Sequence, residues 1–128
     1  MRTLGQKRAE FALNKVLEIT RNLDEKGKKE FKSFSAGAPS MILQNGYGQT
    51  LAFWLSKKTA KHLNLFDIIM NWLSYDNGKD VTNTFAKKKD RKEFINELAG
   101  MEQTKYLTAQ KESFALLEWV KRFANADL

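Results

Sequence analysis

The sequence predicts an all-α protein, a single compact bundle of five to seven helices spanning residues 1–128. Three observations carry this. Four long segments repeat apolar residues at three- and four-residue spacing, and none alternates cleanly with period two. One proline and seven glycines in 128 residues leave few of the breakers that a strand-and-turn protein needs. With 42% apolar residues, among them nine Phe and three Trp, the chain holds enough bulky side chain for one core without disulfides, and cysteine is absent.

The first helix starts at Thr3, which with Gln6 makes a capping box. Ala9, Ala12, Val16, Ile19 and Leu23 then form one apolar stripe, and the helix is expected to end near Gly27. A short basic helix over 28–35 follows, broken by Ala36-Gly37-Ala38. Pro39 suits the first turn of the next helix, which is expected to run on to Lys58. Asn45-Gly46 is also a strong hairpin signal, and Gly46 and Gly48 each cost about 1 kcal/mol in a helix. Helix is nevertheless the reading: the flanks do not alternate, and Leu51-Ala52-Phe53-Trp54-Leu55 would wrap a central helix packed on every side. On that reading the uncharged stretch Ser33 to Ser56 is the most buried helix, and its two glycines admit a close neighbour.

Leu63, Phe66, Met70 and Leu73 mark a further helix, broadened by Ile68, Ile69 and Trp72 and ended by Tyr75-Asp76-Asn77-Gly78. Asp80 can cap a short helix and Asp90 another, whose buried side is Phe94, Ile95, Leu98 and Met101. Thr104 to Ala124 closes the bundle, with Ala109, Ser113, Leu116, Val120 and Phe123 in line.

The net charge of +7 is unevenly spread. Residues 26–61 carry seven basic side chains and one acidic, and residues 79–92 carry six and two. Such blocks attract polyanions, with a reach of about 8 Å at physiological salt. A solvated face kept for solubility is the plainer meaning of a lone lysine run. The N-terminus has charges throughout and does not read as a signal peptide, and no stretch reads as a membrane span, so a cytoplasmic protein is expected.

Catalytic chemistry finds no footing. His62 is the only histidine, reads as a surface residue, and has neither a second His nor a Cys to share a metal. Gly46-Tyr47-Gly48 lacks the spacing and the Lys-Ser/Thr pair of a phosphate loop. Asp67 reads as a carboxylate that caps a helix or pairs with a lysine. No catalytic residue, cofactor or metal site is therefore expected.

The stretch PSMILQNGYGQTLAFWLSK, Pro39 to Lys57, resembles the signature of the small subunit of the type III-B CRISPR (Cmr) RNA-targeting effector, whose members carry a Pro-x-x-Ile-x-x-Asn-Gly-x-Gly-Gln-x-x-x-Phe-like segment. Arg8-Ala9-x-x-Ala12-x-x-x-Val16 near the start, and Tyr106 with Leu117-x-Trp119-x-Lys121-Arg122-Phe123 near the end, agree in order. Tyr47 stands where relatives often carry leucine. The resemblance implies an α-helical subunit without nuclease activity, stacked in more than one copy beside backbone subunits that hold guide RNA. Target RNA pairs with the guide, so such a subunit needs only backbone contacts. Arg8, Asn45, Gln49, Lys57, Lys58 and Lys61 are the expected RNA-binding residues. Asn45, Gln49 and Lys57 recur at four and eight residues, which places them on one face of a single helix. Hydrogen bonding between helices is the competing role for Asn45 and Gln49. The alternative function is a free-standing helical nucleic-acid-binding protein or DNA-binding regulator, with Lys87 to Lys92 as its DNA contact.

Overall fold

Thr3 opens the first helix as its sequence requires: its hydroxyl accepts from the Gln6 backbone N–H at 3.1 Å, and the Gln6 side chain accepts from the Thr3 N–H at 2.8 Å. The computed structural model describes residues 2–74, 85 and 90–128. Among them are six helices and no strand. The Asp80 helix, the Tyr75–Gly78 turn and Lys87–Lys89 lie outside the described residues.

Helix α1 runs Leu4–Arg21 and buries Ala12 and Val16. It stops short of Gly27 because Asp24 caps the next helix, its carboxylate accepting from the Gly27 N–H at 2.7 Å. Helix α2 runs Glu25–Asn45, straight through the expected break, with Pro39 inside it. A proline costs a helix interior about 3 kcal/mol. The register of burial answers that cost: Phe31, Ser35, Ala38 and Ile42 form one stripe that spans Pro39 and packs on the closing helix.

The chain breaks instead at Gly46, whose φ of 87° and ψ of 152° are closed to residues with a Cβ. Helix α3 is therefore short, Tyr47–Lys57. It buries Tyr47, Thr50, Leu51 and Trp54 and leaves Ala52 and Phe53 exposed, so it is not packed on every side. The most buried helix is α4, Ala60–Ser74, where nine residues from His62 to Ser74 are buried. Helix α5 is Arg91–Ala99, capped by Asp90 as expected, and α6 is Gln103–Ala124. The bundle is built on α6, which packs along both α1 and α2 and touches α4. Asp67 pairs with an arginine of α5: Arg91 grips both its oxygens at 2.9 and 2.8 Å.

Candidate nucleic-acid interface

The elbow between α2 and α3 is held from the closing helix. The Gly48 N–H, one of the free donors at the start of α3, donates to the Tyr106 hydroxyl at 2.8 Å. A Cβ on Gly48 would lie 3.1 Å from that oxygen, so glycine here permits a close neighbour, as its sequence suggests. Between the two glycines Tyr47 is fully buried, and its hydroxyl shares a 2.7 Å hydrogen bond with Ser113 Oγ. Burial pushes the phenol pKa far above its ordinary value, so the group stays neutral. Replacing Tyr106 by Phe removes the Gly48 partner alone; a loss of about 1–2 kcal/mol in urea unfolding is expected, and an unchanged midpoint would show that water caps α3 equally well.

Asn45 is the last residue of α2 and Gln49 lies in the first turn of α3. The break at Gly46 ends the argument that they share a helix face with Lys57. They meet by the bend instead, both exposed, both lining a groove of about 410 Å3 with Met41, Thr50 and Phe53. Neither amide has a hydrogen-bond partner among the described residues, where no helix-to-helix bond is made by either.

Lys57 ends α3, and Lys58 turns the chain in the left-handed conformation, φ 59°. Lys61 follows in the first turn of α4. Lys57 Nζ lies 5.3 Å from the centroid of Phe53, and Lys61 Nζ 5.9 Å from that of Phe34. Between these rings sits His62, 4.4 Å from Phe34 and 6.0 Å from Phe53. It is buried, contrary to the expected surface position, because the α3–α4 corner folds it against the two aromatics while Thr59 Oγ1 bonds its Nδ1. Burial lowers its pKa, and the positive charges of Lys61 and Lys57 act in the same direction, so the ring is neutral at neutral pH. None of Lys57, Lys58 and Lys61 enters an ion pair among the described residues.

Arg8 is elsewhere and committed. Its Nε and Nη2 meet the two oxygens of Glu112 on α6 at 2.7 and 2.8 Å, and Trp72 Nε1 adds a bond of 2.9 Å to the same carboxylate. This part-buried, bidentate pair joins α1 to α6, so Arg8 drops out of the surface expected from the sequence.

Phe53 is the surface residue that the sequence pattern assigned to the core. Its signal is the spacing: Gln49, Phe53 and Lys57 stand four residues apart and make one ridge, whereas Tyr47, Leu51 and Trp54 make the buried one. Among the described residues no three His, Asp or Glu side chains gather as a metal site, and no helix is long and apolar enough to cross a membrane.

The family described as "CRISPR-associated protein (Cas_Cmr5)" matches residues 4–127. The chain belongs to the Cmr5 family. It is 29% identical over 126 residues to the CRISPR system Cmr subunit Cmr5 of Thermus thermophilus, covering 98% of this chain and 96% of that protein. The crystal structure of a CRISPR-associated Cmr5 family protein from Thermus thermophilus superimposes with a TM-score of 0.75, at 30% identity and over 98% of this chain and 97% of that one. The resemblance read from the motif is thereby established, and with it the Cmr small-subunit family and its all-α fold. Two separated parts of the Cmr5-like pattern, Gly48 and Tyr106, prove to be one contact in space.

Proposed function

We propose that this chain is the non-catalytic small subunit of a type III-B (Cmr) ribonucleoprotein effector, stacking along the backbone subunits and lining the target-RNA path. The observation that carries the RNA assignment is the gathering of Asn45, Gln49 and Lys57 around the exposed Phe53, with Lys58 and Lys61 following at the α3–α4 corner and no carboxylate paired to any of the three lysines among the described residues. Unpaired cations on a surface are free to replace the counterions of a phosphate chain. Guide and target read each other by base pairing, so the subunit supplies affinity along the backbone and needs no sequence code of its own. The Thermus relative is itself a Cmr subunit, which supports the assembly half of this reading.

The competing regulator reading rests on Lys87 to Lys92, and there Arg91 is already held by Asp67. Purification from cells expressing the whole locus separates the two. Association with the other Cmr subunits and guide RNA is expected, together with no cleavage of single-stranded RNA by the purified subunit under any divalent metal. A subunit that purifies alone and binds one duplex DNA sequence tightly is the regulator.

A further inference from the structure

We propose that the groove at the α2–α3 elbow is a pocket for one unpaired nucleobase of bound RNA, with Phe53 as the stacking surface; this rests on the RNA-path reading and adds a ligand class to it. The groove's volume of about 410 Å3 falls in the range of small-molecule sites. Its lining is chemically divided. Met41 and Phe53 are apolar, the Thr50 hydroxyl is spent on the Met41 carbonyl at 3.1 Å, and the amides of Asn45 and Gln49 are unspent. Each amide offers a donor and an acceptor, the two functions that a base presents on its edges.

Phe53 is 45% exposed, while Tyr47, Leu51 and Trp54 of the same helix are at most 1% exposed. The exposed ring is also braced, with His62 edge-on at 6.0 Å and Phe34 behind His62 at 4.4 Å. A braced ring loses little freedom when a base stacks on it, and every base has a face to offer, so the contact tolerates any sequence. The Lys57 ammonium lies over the ring, 5.3 Å from its centroid, and supplies positive charge at the stacking surface, with Lys58 next in the chain and Lys61 in the first turn of α4. A base inside a duplex keeps both faces covered by its neighbours, so the ligand is a nucleotide left out of guide pairing.

The test uses short single-stranded RNA, the same strand made abasic, and a strand carrying 2-aminopurine, each with the isolated subunit at low salt and with the reconstituted effector. Phe53→Ala is expected to weaken binding of the normal strand by roughly 5- to 150-fold while leaving the salt slope unchanged, and Phe53→Trp to restore it. Wild type and Phe53→Ala should bind the abasic strand alike, and 2-aminopurine emission should be quenched by wild type only. Equal binding of the normal strand by wild type and Phe53→Ala overturns the pocket, as does an equal loss on the abasic strand or no binding by wild type at low salt. Reversal of Lys57, Lys58 and Lys61 acts on both strands through the phosphates. If that reversal matters and Phe53→Ala does not, the RNA path stands and the pocket falls; if neither matters, both fall.

Discussion

Leu51→Ala will cost this fold about 2–5 kcal/mol, whereas Phe53→Ala, two residues away, will cost about 1 kcal/mol. From sequence alone the two are equivalent probes, since both lie in the run Leu51 to Leu55 that was expected to be surrounded. The elbow at Gly46 separates them. It turns α3 so that Leu51 is 0% exposed beside Tyr47 and Trp54, while Phe53 is 45% exposed on the outer ridge. Truncating Leu51 removes apolar area already withdrawn from water and leaves a void between α3 and its neighbours α2 and α4. Urea unfolding followed by circular dichroism measures both variants. Equal losses would mean that the outer ridge is packed, and a Leu51→Ala loss under about 1 kcal/mol would mean that α3 is peripheral to stability.

The same elbow shows what the chain disclosed and what it did not. Helices α1 and α6 were legible because their stripes are clean and because Thr3, with Gln6, supplies a start signal that depends on no distant residue. Asp90 at the start of α5 was legible for the same local reason. The α2–α3 region was not, since Pro39 and Gly46 each proposed a boundary and local propensity favours the proline as a helix start. What decided it is non-local: the stripe Phe31, Ser35, Ala38 and Ile42 is continuous only if the helix passes through Pro39 and lies on α6. His62 and Arg8 were misplaced for a related reason. A lone histidine next to lysines reads as a surface residue and Arg8 in the family-like opening pattern reads as an RNA contact, and only the tertiary fold brings Phe34 and Phe53 to the first and Glu112 to the second.

The candidate site was legible in its members more than in its construction. Asn45, Gln49, Lys57, Lys58 and Lys61 all stand out in the sequence, yet spacing joins three of them only if one unbroken helix runs from Asn45 to Lys57. The actual link is the bend, which sets Asn45 and Gln49 on one groove, and the four-residue ridge from Gln49 through Phe53 to Lys57. An aromatic between an amide and a lysine at that spacing was visible in the sequence. It was masked because four of its apolar neighbours made the whole segment look internal.

Replacing Lys57, Lys58 and Lys61 together by Glu will reduce target-RNA retention by the assembled effector by roughly 100-fold or more, with the subunit still folded. The folding half follows from their positions. Lys57 and Lys58 are exposed at the end of α3, and none of the three takes part in an ion pair among the described residues, so reversal breaks no internal bond. Two modest costs remain. Lys57 and Lys61 lose their places over Phe53 and Phe34, each worth about 0.5–1 kcal/mol, and negative charge at the end of α3 opposes the helix dipole. The effect on His62 is stabilising for its charged form, since carboxylates in place of Lys57 and Lys61 raise a pKa that those lysines help to lower. The binding half follows from charge: each lost phosphate contact lowers the salt slope by about 0.7 for a single strand, so three should flatten it by about two units. Lys87, Lys88 and Lys89 reversed to Glu are the comparison, because they change the net charge equally and lie in the other basic block. Retention on a filter across a salt series, with circular dichroism as the folding check, separates the outcomes. A loss confined to the first triple places RNA at the α3–α4 corner, an equal loss in both is bulk charge, and a loss confined to the second moves the RNA path to the segment before Asp90.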